Sequence, residues 1–220
     1  MFDEIVTVLP ELWVALGQTL AMLAIGLGAA VFLGGPLGIL LFLLSPGQAL
    51  HQGTLSSLLG WLVNTLRSFP FIILLVALVP ITRWIVGTSI GPLAASVPLA
   101  CAAVPYFARL VEQQLREVPR GTIEAAEAMG ASPWQIVVHV LLVEARPGLV
   151  LALTVLAISF LSYSAVAGVV GGGGIGDLAI RFGYYRFDTP VMVLTVAVLV
   201  CLVQLIQFAG NRLARRIDHR

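Results

Sequence analysis

The chain has 220 residues, of which 59% are hydrophobic and 10% charged, with a formal charge of +1 and a mean hydropathy of +1.02. These values exclude an ordinary soluble domain and point to an all-α integral membrane protein, with room for about five spans of roughly 20 residues and no large domain outside the bilayer. Cys101 and Cys201 both fall in apolar runs, which favours small-hydrophobe roles over a disulfide, and no nucleic-acid partner is expected.

The opening segment, MFDEIVTVLPEL, is acidic and holds no Lys or Arg, so it lacks the basic n-region of a cleavable signal peptide and the first apolar run is expected to stay. That run covers residues 18–44 and ends at Ser45-Pro46-Gly47. Gly34 and Gly38, four apart within it, fit either close helix approach in lipid or plain flexibility. A polar connection from Gln48 to Ser57 leads to a second run, 58–81, interrupted at Arg67-Ser68-Phe69-Pro70. Arg67 there is most simply an interfacial snorkelling residue ahead of the helix proper. The third run, 93–110, contains Pro98 and Pro105, tolerated at depth where neighbouring helices re-satisfy the freed backbone groups.

Between the third and fourth runs lies the longest polar interruption, Val118 to Glu144. Thr122 to Met129 reads as a short amphipathic helix, with Ile123, Ala125, Ala126, Ala128 and Met129 around most of it and Glu124 and Glu127 on a narrow polar edge. Both glutamates are expected in its early turns, where the helix macrodipole favours negative charge. Gly130 stands where a helix ends in the left-handed conformation. Ser132 is then a natural N-cap, Pro133 suits the first helical position, and Gln135 completes a capping box. The expected product is a helix–turn–helix.

Arg146-Pro147-Gly148 punctuates the entry to the fourth run, 149–170, which holds the hydroxyl cluster Ser159, Ser162, Tyr163 and Ser164. Each serine can bond back to its own helix, or the group can line a polar path. Four glycines, Gly171 to Gly174, precede the aromatic loop RFGYYRFD, and the fifth run, 190–209, ends in the basic tail RLARRIDHR. With the N-terminus outside and five crossings, nine of the twelve arginines, Arg67, Arg109, Arg116, Arg120, Arg146, Arg212, Arg215, Arg216 and Arg220, fall on the cytoplasmic side. Arg83, Arg181 and Arg186 fall outside, a clear positive-inside bias that puts the interruption in the cytoplasm.

That topology narrows the chemistry. No Gly-Lys-Ser/Thr follows the glycine run, so it is no nucleotide cradle. His51, His139 and His219 all lie in loops or the tail, which argues against an intramembrane serine protease, and no grouping has metal-ligand spacing. No Asp or Glu sits at mid-depth in a span, which disfavours an ion-coupled carrier. Transport driven from outside this chain fits better.

Glu124-Ala125-Ala126, three further residues and then Gly130 resemble the EAA loop of the membrane subunits of bacterial ABC importers. The family pattern continues, after nine more residues, with Ile-x-Leu-Pro; here the positions read Val140, Leu141, Leu142 and Val143, so the proline is missing and Pro147 is the candidate to take over the break. Arg67 to Gly91, Tyr163 to Phe187 and the closing IQFAGNRLAR are similar to the permeases of methionine ABC importers. The resemblance implies one transmembrane domain over residues 1–220, with a cytoplasmic coupling loop at 116–146. It implies that Glu124, Ala125, Ala126, Glu127, Ala128, Met129, Gly130 and Ala131 dock a separate ATPase, and that Ser159, Ser162, Tyr163 and Ser164 border the translocation path. It also implies a homodimer in the bacterial inner membrane, two ATPase subunits, an external substrate-binding lipoprotein, and neither a catalytic residue nor a cofactor in this chain. The rival expectations are a permease for another small amino acid and a membrane scaffold that transports nothing.

Overall fold

The computed structural model describes residues 2–46 and 52–218; Gly47, residues 48–51 of the expected connection Gln48 to Ser57, and His219 and Arg220 of the tail, lie outside the described residues, while residues 53–57 of that connection are already helical. Helices account for every regular element among the described residues, in agreement with the all-α expectation. The first is α1 (Phe2–Ala29), which passes through a wider π turn at Ala30–Gly34 into α2 (Gly35–Leu44). Its apolar stretch from Thr7 to Leu44 is a single membrane-length rod. The helix holding the 18–44 run therefore begins well before Gln18.

Gly34 and Gly38 lie where this rod meets α6 (Pro92–Arg116). A Cβ on Gly38 would stand 2.5 Å from the Ala108 carbonyl oxygen, and one on Gly34 would stand 2.6 Å from that of Val104. Close approach, rather than flexibility, explains both glycines. Within α6, Pro98 and Pro105 are buried against neighbours, where the gaps they leave in the helical ladder are sheltered from lipid.

The second run is broken. Residues Gly53–Ser68 form α3 and Phe71–Ala77 form α4, bent by 99° across Phe69-Pro70, and Val79–Val86 forms α5. Proline forces the residue before it out of the helical region, and Phe69 is accordingly extended at ψ 128°. Pro80 differs: it leaves the Val76 carbonyl without an N–H, but Leu78 at the joint stays in the helical region at φ −84°, ψ −2°. Arg67 does not simply snorkel: its guanidinium carbon lies 5.2 Å from the centre of the Tyr106 ring.

After the polar hairpin, α10 (Arg146–Val169) runs back through the molecule, and α12 (Thr189–Ile217) packs along it with Gly210 against the Thr154 side chain. Four helical stretches are long and apolar enough to cross a membrane, five if the bent α3–α4 pair is one span. Their shared core is built from Met22, Phe42, Leu99, Phe107, Leu156 and Phe160. Outside it, large apolar side chains such as Phe32, Trp61 and Trp84 are exposed, as lipid or a partner subunit requires.

Candidate functional site

The hairpin opens with α7 (Arg120–Ala128), started by Pro119 two residues earlier than the amphipathic pattern from Thr122 predicts. Glu124 and Glu127 consequently sit in its middle and last turn, so the macrodipole reading of these glutamates is corrected. Only one side of α7 is used internally: Ala126 is buried and Ile123 half-buried, both in the core cluster that holds Ile136, Val137 and Leu141. Glu124, Ala125, Glu127, Ala128 and Met129 face outward, Met129 being 82% exposed.

The turn is closed by backbone hydrogen bonds. Gly130 N–H donates to the Glu127 carbonyl at 2.9 Å and Ala131 N–H to that of Ala126 at 3.1 Å, the two bonds of a Schellman motif. Gly130 has φ +83°, and no atom lies within 4 Å of where its Cβ would be, so its requirement is conformational rather than spatial. The capping box forms next: Gln135 N–H donates to Ser132 Oγ at 3.4 Å, and Ser132 N–H to Gln135 Oε1 at 2.8 Å. After α8 (Pro133–Gln135) the chain makes a π turn at Ile136–Leu141 and enters α9 (Leu142–Glu144). Between the arms a cavity of about 260 Å³ is bordered by Arg120, Glu124, Glu127, Pro133 and Val137.

Val143 stays helical where the family pattern has proline. The break falls at Ala145, and Pro147, which has no N–H to offer the Val143 carbonyl, opens α10. The hairpin is thus joined to α6 on one side and to α10 on the other by three residues and one residue respectively.

A charge network that sequence reasoning missed sits at the α6 root of the hairpin. Glu112, its side chain 5% exposed, accepts from Arg109 Nη1 at 2.5 Å and Arg116 Nη2 at 2.6 Å. Arg109 also donates to Asn64 Oδ1 at 3.1 Å and to the Gly60 carbonyl at 3.0 Å on α3, while Arg116 donates to Ser45 Oγ at 3.0 Å at the end of α2. One buried carboxylate therefore orients two arginines that tie α6 to α3 and α2. The i, i+3, i+7 pattern of Arg109, Glu112 and Arg116 was the available signal. It was masked because the apolar run ends at Leu110 and the arginines read as topology markers.

The hydroxyl cluster on α10 does not converge. Ser159 Oγ donates to the Val155 carbonyl and Ser164 Oγ to that of Leu161, both back-bonds to their own helix. Ser162 is exposed, Ser164 is buried, and Tyr163 stacks on Phe71 of α4 with ring centres 4.6 Å apart. Ser159, Ser162 and Tyr163 fall within about 100° of one another around the helix, and Ser164 is turned away from Ser159. The glycine run is occupied as well: Gly174 N–H donates to Gln18 Oε1 at 2.8 Å and Ile175 N–H to Thr19 Oγ1 at 2.9 Å, which moors it to α1. It leads into α11 (Gly174–Leu178).

Residues 30–220 match the family described as binding-protein-dependent transport system inner membrane component. The chain is 49% identical over 203 residues to the probable D-methionine transport system permease protein MetI of Vibrio cholerae, covering 92% of this chain and 90% of that one. It is 46% identical over 214 residues to the D-methionine transport system permease protein MetI of Escherichia coli, covering 96% and 99%. A solved structure of the MetNI methionine ABC transporter in an inward-facing conformation superposes with a TM-score of 0.95 at 46% identity, covering 97% of this chain and 99% of that chain. An amino acid ABC transporter crystallised with histidines shares the fold, at a TM-score of 0.80 and 18% identity.

Proposed function

The chain belongs to the family of binding-protein-dependent transport inner membrane components, and from that premise we propose that it is the membrane-spanning subunit of an ATP-driven methionine importer. The observation that carries the mechanism is the hairpin: a rigid turn at Gly130 that keeps the outward face of α7 free while its inner face is part of the core. Glu124, Ala125, Ala126, Glu127, Ala128, Met129, Gly130 and Ala131 form the element that docks in a groove of a separate ATP-hydrolysing subunit. ATP binding there closes the partner subunits, and the hairpin carries that closure to α6 and α10 as a rigid-body displacement. This chain hydrolyses nothing itself. The working assembly is two copies of it, two ATPase subunits, and an external lipoprotein that delivers the amino acid.

In the inner membrane the N-terminus lies outside and the hairpin inside, an orientation supported by nine arginines on the hairpin side against three on the other. The spans at 18–44, 58–81, 93–110, 149–170 and 190–209 surround a path that Ser159, Ser162 and Tyr163 border on one side of α10, while Ser164 is turned into the packing. The names of the relatives and of the superposing transporter support methionine over other small amino acids.

The test is uptake of labelled methionine by cells carrying the complete system with Gly130→Asp. Because a Cβ at Gly130 meets nothing, the variant retains its place in the membrane, and uptake falls to background because a charge and a strained φ sit at the centre of the docking face. Undiminished uptake overturns the coupling role. Competition by unlabelled methionine, but not by other small amino acids, checks the substrate.

A further inference from the structure

The last two turns of α12 carry Arg212, Arg215 and Arg216, and among the described residues none of the three has a carboxylate within ion-pair distance. Asp218, the acidic residue nearest in sequence, borders a different cleft with Gln114, Glu117 and Glu144. Phe208, Asn211 and the three arginines instead border a concave surface of about 400 Å³. At 100° per residue, Cys201, Leu205, Phe208, Arg212, Arg215 and Arg216 fall on one face of the helix. All six are exposed, Leu205 at 63% and Phe208 at 65%. That face therefore changes along its length from wholly apolar to wholly basic.

We propose that this face is a binding site for an anionic phospholipid, with an acyl chain along Cys201, Leu205 and Phe208 and the headgroup phosphate held by Arg212, Arg215 and Arg216. The order of groups along the helix is that of the lipid itself. A crossing takes roughly 20 residues, so a span entered at Pro190 reaches the polar boundary near Ala209, one turn before the first arginine. Guanidinium groups bind phosphate oxygens bidentately and are less strongly hydrated than ammonium groups, which suits them to a headgroup at the edge of the hydrocarbon. Asn211 adds a neutral donor beside them, although its own Oδ1 accepts from Gln207 Nε2 at 3.1 Å. Charges in the last turn also complement the helix dipole, but that requires no apolar groove leading to them.

The experiment uses the full chain, purified with whatever subunits accompany it, in nanodiscs of palmitoyl-oleoyl phosphatidylcholine doped with palmitoyl-oleoyl phosphatidylglycerol, the bound lipid being counted by native mass spectrometry after ejection. The wild type retains phosphatidylglycerol over phosphatidylcholine. Arg212→Gln/Arg215→Gln/Arg216→Gln weakens that retention by on the order of 100-fold, from the attraction each basic side chain contributes near an anionic surface. Phe208→Ser weakens retention of both lipids while leaving the preference for phosphatidylglycerol, and Arg83→Gln, at the other end of the molecule, changes neither. Unaltered helical content by circular dichroism separates lost binding from lost folding. Equal retention of phosphatidylglycerol by wild type and triple variant overturns the proposal. So does loss of an accompanying protein subunit with lipid retention unchanged, which identifies the face as a protein interface.

Discussion

The packing of the first membrane rod on α6 gives a test in which propensity and packing oppose each other. Gly17 lies in α1 and Gly38 in α2, and alanine is favoured over glycine in a helix interior by about 1 kcal/mol at either position. A Cβ at Gly17 meets nothing within 4 Å. At Gly38 it would stand 2.5 Å from the Ala108 carbonyl oxygen and 2.6 Å from Val111 Cβ, whereas ordinary contact begins at 3.4 Å, so the two helices must separate locally by about 0.9 Å. The blocking atom belongs to the backbone of α6 and cannot rotate away. Overpacking of this kind costs about 1–3 kcal/mol, which meets or exceeds the gain in propensity. Gly17→Ala should therefore be neutral or up to about 1 kcal/mol more stable than wild type, and Gly38→Ala up to about 2 kcal/mol less stable. The assay is equilibrium unfolding of the detergent-solubilised chain with a denaturing detergent, followed by far-ultraviolet circular dichroism. A Gly38→Ala variant as stable as Gly17→Ala would refute the close-approach argument.

Replacing Glu112 with Gln should destabilise the protein by about 3 kcal/mol, the bottom of the range for breaking a buried ion pair because Arg116 is 56% exposed. Arg116→Gln, which removes only the exposed arm, should cost less than about 1 kcal/mol in the same unfolding assay, and the reverse order would contradict the network as described. Ser132→Ala should cost about 1 kcal/mol locally, a roughly fivefold faster amide exchange at Gln135 by hydrogen–deuterium mass spectrometry, and unchanged protection there would mean that the capping box contributes nothing.

What could be read from the sequence was what is decided locally. Gly130 and the Ser132-Pro133-x-Gln135 box were legible because left-handed closure and capping depend on a few neighbouring residues, and each takes its expected form. The EAA spacing carried the family, which residues 30–220 match. Contacts between distant segments were not legible. The 99° bend at Phe69-Pro70 shows as a proline in the sequence, but the contacts on either side of it, Arg67 over Tyr106 and Phe71 stacked on Tyr163, do not. Glu112 reads as one more polar residue beyond an apolar run; the Arg109 that it holds bonds to Asn64 and Gly60, 45 and 49 positions away. The placement of Glu124 and Glu127 went wrong because α7 starts at Arg120, directly after Pro119, two residues before the expected Thr122.

The charge network and the hairpin belong to one mechanical argument. A docking element transmits force only if its roots are stiffer than its contact with the partner. The inner face of α7 shares a core cluster with Leu115 and Val118 on the α6 side and with Leu141 and Ala145 on the α10 side. Close-packed interiors transmit strain instead of absorbing it. Three residues before Glu112 stands Arg109, bonded to α3; four after it stands Arg116, bonded to the end of α2. A displacement of α7 therefore reaches α2, α3, α6 and α10 within about two turns of the hairpin's base. Among the described residues α12 makes no hydrogen bond or ion pair to this network, and only Val191, Thr195 and Ala214 of it are buried. On the coupling proposed above, the four braced helices move as a body, and α12 follows through its packing on α10.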